Sequence, residues 1–324
     1  MKKHKICKIL LVILAIFLCV AFYELLGICV AYKKQPEVSN TTKKETKNGS
    51  WNECSENTER AVIIEKNPEA LLQRVRLIKN AKKEIILSTF AFQSDESGKL
   101  ILGALHDAAD RGVHIRLLVD GMESWIDMEG NPYFYGLSSH ENVEIKLYNK
   151  ANPLKPWKMM GRMHDKYLIA DGKRYILGGR NTYNYFLGDF PGHKNYDRDV
   201  LVVCNEPEKE NSVNQLLEYF ETIWEQEDSG YFHDNKKLAN RKSVKNAVLE
   251  LQNGYQKYFE ENKERICDTD YTDETFETEK IALVSNPIHT GSKEPVVWYQ
   301  LGELMKNAKN RVKIHTPYII CNDM

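Results

Sequence analysis

The segment that most restricts the fold of this chain runs from residue 164 to residue 181 and combines two short apolar stretches with a tight turn. It follows the pattern H-x-K-x4-D-x6-G-G-x-N, made by His164, Lys166, Asp171, Gly178, Gly179 and Asn181. Residues i and i+2 of a strand point to the same face, so we expect the imidazole and the ammonium to project together. The pattern predicts a strand over 163–170, a turn opened by Asp171, and a second strand over 174–178.

This spacing suits chemistry on a phosphate. A neutral imidazole at His164 can attack phosphorus or move a proton near neutral pH, and Lys166 can hold the non-bridging oxygens. Asp171 is expected to have a structural or orienting role, bonding turn amides or neighbouring side chains. The two glycines allow close backbone approach, and Asn181 can donate its amide to a phosphate oxygen. A lone His-x-Lys is usually surface decoration, but the other four positions in register favour a phosphate site.

An internal similarity indicates duplication. Residues 77–92 align with residues 304–319 at a constant offset, and six positions of the first copy recur: Leu77, Lys79, Asn80, Ala81, Lys82 and Thr89. Both copies predict the end of an amphipathic helix followed by a strand, a pattern that can also arise by chance or convergence. The sequence ends at Met324, so we expect 280–324 to be the start of a truncated second repeat.

The N-terminus predicts a membrane anchor. An unbroken apolar run spans 9–23, resumes over 25–32, and follows four lysines in the first eight residues. A helix of this length crosses a bilayer, and the lysines favour a cytoplasmic N-terminus with the later residues outside. Lys33 and Lys34 weaken that bias, and a cleaved signal peptide is the alternative.

The remaining chain divides by composition. We predict a cytoplasmic tip and transmembrane helix over 1–33, a polar tether over 34–59, a first repeat over 60–267, an acidic linker over 268–279, and the second-repeat segment. Within the first repeat, strands are predicted near 61–64, 84–90, 113–119, 143–147, 163–170, 174–178 and 198–203, and helices near 68–82, 97–111, 208–226 and 241–262. The alternation gives an α/β fold with helices packed on a mixed sheet.

The charge distribution and the cysteine spacing limit the partners and cofactors that we expect. The whole chain has a net charge of −1, which does not favour a nucleic-acid partner, but residues 150–180 carry eight basic residues against two acidic ones. That patch would attract an anionic substrate, although such runs are often solvated surface. The apolar and basic loop 152–163 fits either a lipid headgroup boundary or an ordinary packed loop. The cysteines show no metal-ligand spacing, so no metal or cofactor is expected.

The chain resembles the phospholipase D superfamily, and within it the membrane-anchored bacterial cardiolipin synthase branch. The resemblance extends over roughly 60–324 and includes the strand 84–92, residues 107–120, the turn 152–154, the 164–181 motif and Asp197-Arg198-Asp199-Val200. It implies a covalent phosphohistidine on one motif histidine and proton transfer by a second, with Lys166 and Asn181 on the phosphate. It also implies that Asp199, or the nearby Asp197, orients an imidazole.

One departure from the family pattern limits the prediction. The sequence carries one H-x-K motif where the family normally has two, so a missing second repeat or a homodimer partner would have to complete the site. We therefore expect a phospholipase D-type phosphatidyltransferase or phosphodiesterase acting on membrane phospholipids, incomplete in this chain alone. Two alternatives remain: a single-motif homodimeric nuclease, and an inactive membrane-tethered protein. A lipid, glycerol and water all fit this chemistry as the acceptor.

Overall fold

A nine-stranded mixed sheet forms the centre of the computed structural model, which describes residues 2–49, 59–206, 211–233 and 235–314. The helices and strands, in chain order, are α1 Lys2–Tyr32, α2 Asn40–Asn48, β1 Glu59–Ile64, α3 Asn67–Asn80, β2 Glu84–Thr89, α4 Glu96–Asp110, β3 His114–Asp120, α5 Gly121–Asp127, α6 Pro132–Ser138, β4 Val143–Tyr148, β5 Tyr167–Ala170, β6 Arg174–Gly178, β7 Asp199–Cys204, α7 Ser212–Trp224, β8 Ser229–Tyr231, α8 Lys242–Glu261, α9 Lys263–Cys267, β9 Phe276–Glu277 and α10 Val296–Lys306.

The strand order is β8-β4-β3-β2-β5-β6-β7-β1-β9. Strands β2, β3 and β4 are parallel and are joined through α4 and through α5 with α6, as βαβ crossovers require. The other neighbours pair antiparallel, including the β5–β6 hairpin. This is the predicted α/β class, a mixed sheet flanked by helices.

Alternating side chains divide the core between the two faces of the sheet. On β2 and β3, Ile85 and Leu117 face the cluster formed with α3, α4, α6 and α8, whereas Ile86 and Leu118 face α7. The second face is also covered by the chain at 281–288, through Ile281, Leu283 and Ile288. Because successive strand residues point to opposite faces, both layers are built from the same continuous apolar strands.

Local signals account for where the helices start and stop. Asp95 caps α4 by accepting a hydrogen bond from Gly98 N, and Gly112, at φ +89°, ends it in the left-handed region. Asn211 caps α7 through Asn214 N, and Pro68 occupies the first turn of α3. The helices predicted near 97–111 and 208–226 therefore form close to their expected limits.

Two parts of the chain differ from the sequence prediction. The segment predicted as a polar tether contains α2, which is capped by Ser39 and bonded to Glu294 through Thr42, while residues 50–58 lie outside the described part. The acidic stretch 268–279 is not a free linker, because the Arg76 guanidinium binds Asp268 and Glu274 and β9 pairs with β1. Two of its acidic side chains, Asp268 and Glu274, thus pair with the buried Arg76 while remaining exposed themselves.

The second predicted copy of the helix-to-strand pattern is described in part. Its helical half corresponds to α10, which ends at Lys306 as α3 ends at Asn80. Residues 311–314 have no strand pairing, and 315–324 lie outside the described residues. The duplication and the division into repeats therefore stay predictions.

Candidate active site

The histidine and lysine of the motif lie immediately before β5, not within it as predicted. Strand β2 pairs Ser88 with Tyr167 and ends at Thr89, so no neighbouring strand continues alongside residues 164–166 on that side. On the other side, Gly178 N donates to Lys166 O at 3.1 Å. Residues 164–166 therefore lie at the end of the sheet, bonded on one side only, and are not part of a regular strand.

His164 and Lys166 are brought together as expected. Lys166 Nζ lies 3.0 Å from His164 Nδ1 and donates to the His164 carbonyl at 2.6 Å. The Phe90 ring packs against the imidazole at a centroid distance of 4.6 Å, and Lys166 Nζ lies 5.3 Å from the same ring. Phe90 was not predicted as a site residue, and it fixes both functional groups from the end of β2.

Burial lowers the pKa of both groups. Burial, assisted by the adjacent Lys166 charge, lowers the pKa of His164 below its ordinary value, so the ring is neutral over a wider pH range. Burial also lowers the pKa of Lys166 to about 8, although Asp165, Asp197 and Asp120 act in the opposite direction. Near pH 7 the pair is thus a neutral imidazole beside an ammonium.

The contact between these two groups limits the resting chemistry of His164. An ammonium can only donate, so Nδ1 accepts and the proton of the neutral ring resides on Nε2. A ring in that tautomer has no lone pair on Nε2 with which to attack phosphorus. For Nε2 to act as a nucleophile, the contact of Lys166 with Nδ1 would first have to break.

A cleft of about 390 Å³ opens beside the pair and is lined by His164, Lys166, Arg162 and the chain at 283–297. His164 is exposed in this cleft, and among the described residues it is the one imidazole in the lining. Arg162 is held in place by Asp120 at 3.0 Å and by the Asn149 carbonyl at 2.6 Å. The arrangement offers a nucleophile or proton carrier surrounded by cations, as an anionic phosphodiester requires.

Two further residues of the cleft were missed by sequence analysis. Lys293 lines it from the later segment, and burial lowers the pKa of this lysine while Asp165 opposes the shift. Asp165 accepts a hydrogen bond from Tyr219 on α7 at 2.7 Å, and its burial raises its pKa. Nothing local in the sequence marks Lys293, because the approach of 283–297 to the motif is a long-range contact.

Asp171, a candidate site residue of the motif, lies in the turn between β5 and β6. At φ +54°, it is one of two described non-glycine residues in the left-handed region. Its carboxylate accepts from the amides of Lys82, Lys83 and Glu84, the turn between α3 and β2. It therefore ties the β5–β6 turn to the adjacent turn at the sheet end opposite His164, and does not touch the cleft.

Asn181 and the glycine pair shape the turn after β6. Asn181 is buried, and its Oδ1 accepts from Ala91 N at 3.2 Å, which orients the amide beside the end of β2. A Cβ at Gly178 would overlap the Asp199 carboxylate, and one at Gly179 would overlap that of Asp197. The glycines therefore admit two acidic side chains next to the turn, and a phosphate contact from Asn181 stays a prediction.

In the described part of the chain the partners of Asp199 are arginines, and the imidazole-orienting role implied by the family resemblance stays a prediction. Its buried carboxylate accepts from Arg74 at 2.9 Å and pairs with Arg180 at 3.2 Å. Arg180 also donates to the Asp197 carbonyl. Two guanidinium groups thus compete for this carboxylate, so Asp199 neutralises buried charge below the motif.

A known protein family matches the middle of the chain. Residues 74–224 match the family described as cardiolipin synthase, PLD-like domain, which covers β2 to α7 and contains the whole 164–181 motif. The match begins within α3 and ends with α7, so it includes every described residue of the cleft except those of the 283–297 segment.

Individual relatives are similar over part of their length. The chain is 30% identical over 212 residues to an uncharacterized protein of Helicobacter pylori strain J99, covering 61% of this chain and 39% of that protein. It is 29% identical over 171 residues to cardiolipin synthase C of Escherichia coli K12, covering 48% and 34%. The phosphatidylserine synthase structure from Haemophilus influenzae Rd KW20 aligns with 76% of this chain and 52% of that chain, at 16% identity and a TM-score of 0.46. This chain thus spans about two fifths or less of the curated relatives named here.

Proposed function

We infer that this chain, a cardiolipin synthase-like member of the phospholipase D superfamily, acts on phosphodiester bonds of membrane phospholipids and transfers the phosphatidyl group to an alcohol or to water. The observation that carries the proposal is the 3.0 Å contact between Lys166 Nζ and His164 Nδ1 at the cationic cleft. The apolar N-terminal helix, long enough to span a bilayer, favours a lipid over a soluble substrate.

The proposed reaction has two steps. In the first, one motif histidine attacks phosphorus, the P–O bond to the leaving alcohol breaks, and a second histidine gives that alcohol its proton. In the second, the same second histidine removes a proton from the acceptor, which attacks phosphorus and releases the first histidine. His164 fits either role, and Lys166 with Asn181 would hold the phosphoryl oxygens.

The second histidine has to come from another motif. The sequence contains one H-x-K motif, and His164 is the one imidazole among the described lining residues of the cleft. We propose that a second copy of this chain or a second-repeat motif supplies it. Either source would face His164 across the open side of the cleft.

The function is tested by turnover of phosphatidylglycerol in mixed micelles by the full chain, with His164→Ala as the variant. We expect the variant to lose phosphatidyl transfer and hydrolysis together, since both pass through the same histidine. His114→Ala is the matched control, because His114 lies at the start of β3, at the other end of the sheet, bonded to Glu144. Equal activity of wild type and His164→Ala would refute the proposal, and cleavage of single-stranded DNA without lipid turnover would favour the nuclease.

Mixing the two chains tests the source of the second histidine. If two copies share one site, activity at constant total protein falls with the square of the wild-type fraction as His164→Ala is exchanged in. If each site depends on one copy alone, activity falls linearly. A linear result with an active wild-type chain would refute the shared site.

A further inference from the structure

The loop that leads into the motif packs on the end of the N-terminal helix. Tyr23 Oη donates to the Leu154 carbonyl at 3.1 Å, and Gly27 lies so close to Pro156 that a Cβ there would overlap the proline ring. Tyr32 Oη donates to Thr290 O at 2.8 Å, which ties the helix end to the later cleft wall. The apolar helix is thus docked on the catalytic domain rather than joined to it by a free tether.

The positions of these contact residues along the axis of α1 indicate the depth at which the loop would lie in a bilayer. Tyr23 precedes Tyr32 by nine residues, which is about 13 Å along the helix axis. The apolar span covers Lys5–Tyr32, which is longer than the roughly 20 residues that cross a hydrocarbon core. A loop that contacts Tyr23 and Gly27 therefore reaches the boundary between head groups and acyl chains.

The side chains that the loop exposes suit that boundary. Leu154 is 78%, Trp157 44% and Met160 58% exposed, three apolar groups within seven residues of chain. Lys155 is exposed beside them, as a cation for anionic head groups. Clustered exposed apolar groups on a soluble surface are uncommon, and Trp with Lys is typical of the bilayer interface.

The loop is held in one conformation, so its apolar face is not a product of disorder. Asn149 Nδ2 donates to the carbonyls of Lys158 and Gly161 at 2.7 and 2.8 Å and closes the loop at its base. Lys158 Nζ binds Asp228 at 2.6 Å. Such preorganisation lets the apolar face enter lipid without an ordering cost.

A second cavity lies between this loop and the catalytic cleft. It measures about 400 Å³ and lies between Tyr32, Met160 and the chain at 291–295. Asn286 and Lys293 line both this cavity and the catalytic cleft, so the two spaces share a wall. A head group entering beside the helix would meet Lys293 before it reached His164.

We propose that loop 152–160 inserts into the headgroup and acyl boundary beside α1, and that the adjoining cavity admits phospholipid head groups from the bilayer into the catalytic cleft. The entry route rests on the proposed function, whereas the insertion does not. The occupant is the bilayer because the loop packs against α1, the helix that is long enough to span it.

Insertion is tested without any activity, in the full chain reconstituted into vesicles of phosphatidylcholine and phosphatidylglycerol. Brominated acyl chains should quench the fluorescence of wild type, and Trp157→Phe should lose that quenched component. Trp224→Phe should keep it, because Trp224 is buried against Phe220. Quenching of Trp157→Phe equal to that of wild type would overturn the insertion.

Delivery is tested by a double variant, Leu154→Ser with Trp157→Ser, and by Phe276→Ser as the control. Phe276 is 71% exposed on β9, at the opposite sheet edge from β4 and β8. We expect the double variant to raise KM at least fivefold for lipid in vesicles and to leave turnover of a monomeric short-chain phospholipid unchanged. An equal loss on both substrates, or no loss on vesicles, would overturn the entry route, whereas an inactive wild type would refute only the proposed function.

Discussion

Replacing Asp171 by alanine is expected to destabilise the domain by about 2–4 kcal/mol and to spare the chemistry of the cleft. The carboxylate accepts from three consecutive amides, those of Lys82, Lys83 and Glu84, at distances of 2.7 to 3.1 Å. Partly exposed bonds of this kind contribute about 0.5–1 kcal/mol each. The φ of +54° adds about 1 kcal/mol for alanine, which enters the left-handed region less readily than aspartate.

Two companion variants separate these contributions. Asp171→Gly removes the hydrogen bonds without the backbone strain, so it should be about 1 kcal/mol more stable than Asp171→Ala. Asp171→Asn keeps one acceptor and a side chain that tolerates positive φ, and should retain most of the stability. Urea denaturation of the detergent-solubilised full chain, followed by tryptophan fluorescence, measures all three, and phosphatidylglycerol turnover is measured alongside. A hundredfold loss of turnover in Asp171→Ala at unchanged stability would refute the structural role.

Other predictions concern the cleft. The kcat/KM of wild type should rise as His164 deprotonates below pH 6.5 and fall as Lys166 loses its proton near pH 8. Lys166→Arg should move the alkaline limb to higher pH, because a guanidinium stays charged there. An alkaline limb that remains near pH 8 in this variant would exclude Lys166 as its source. Lys293→Gln should raise KM for anionic lipid about five- to tenfold at nearly constant kcat, through loss of a contact contributing about 1–1.5 kcal/mol, whereas Lys173→Gln in the distant β5–β6 turn should change neither constant. Asp199→Ala should lower the free energy of unfolding by about 3–5 kcal/mol by leaving two buried guanidinium groups without their shared carboxylate, and an unchanged urea midpoint would contradict this.

The sequence predicted those features that depend on neighbouring residues. Short continuous apolar runs located β2 and β3, and the turn chemistry of Asp171 located the β5–β6 hairpin. The proximity of His164 and Lys166 followed from their spacing, even though β5 begins only at Tyr167. The strand limit depends on where β2 ends, which spacing within the motif does not reveal.

Features that depend on distant contacts were missed or misassigned. Asp199 binds Arg74, which is 125 residues away in the chain, and nothing near Asp199 distinguishes this partner from an imidazole. The acidic stretch 268–279 has the composition of a linker, but Arg76 is buried and needs its carboxylates. The composition of a segment gives its charge but does not show whether a buried residue of opposite charge lies elsewhere in the fold to pair with it.

The later wall of the cleft links access to chemistry. The pKa of Lys166 lies near 8, rather than near its ordinary value, because the ammonium is buried, and the 283–297 segment forms part of the enclosure that buries it. The same segment contacts the end of α1 through Thr290 and contributes Lys293 to the cavity beside α1. A displacement of the wall by an entering head group would hydrate Lys166 and raise its pKa, at the moment when a phosphate needs the full ammonium charge. If head groups enter by the proposed route, one piece of chain outside the motif governs both the access to the site and the charge of Lys166.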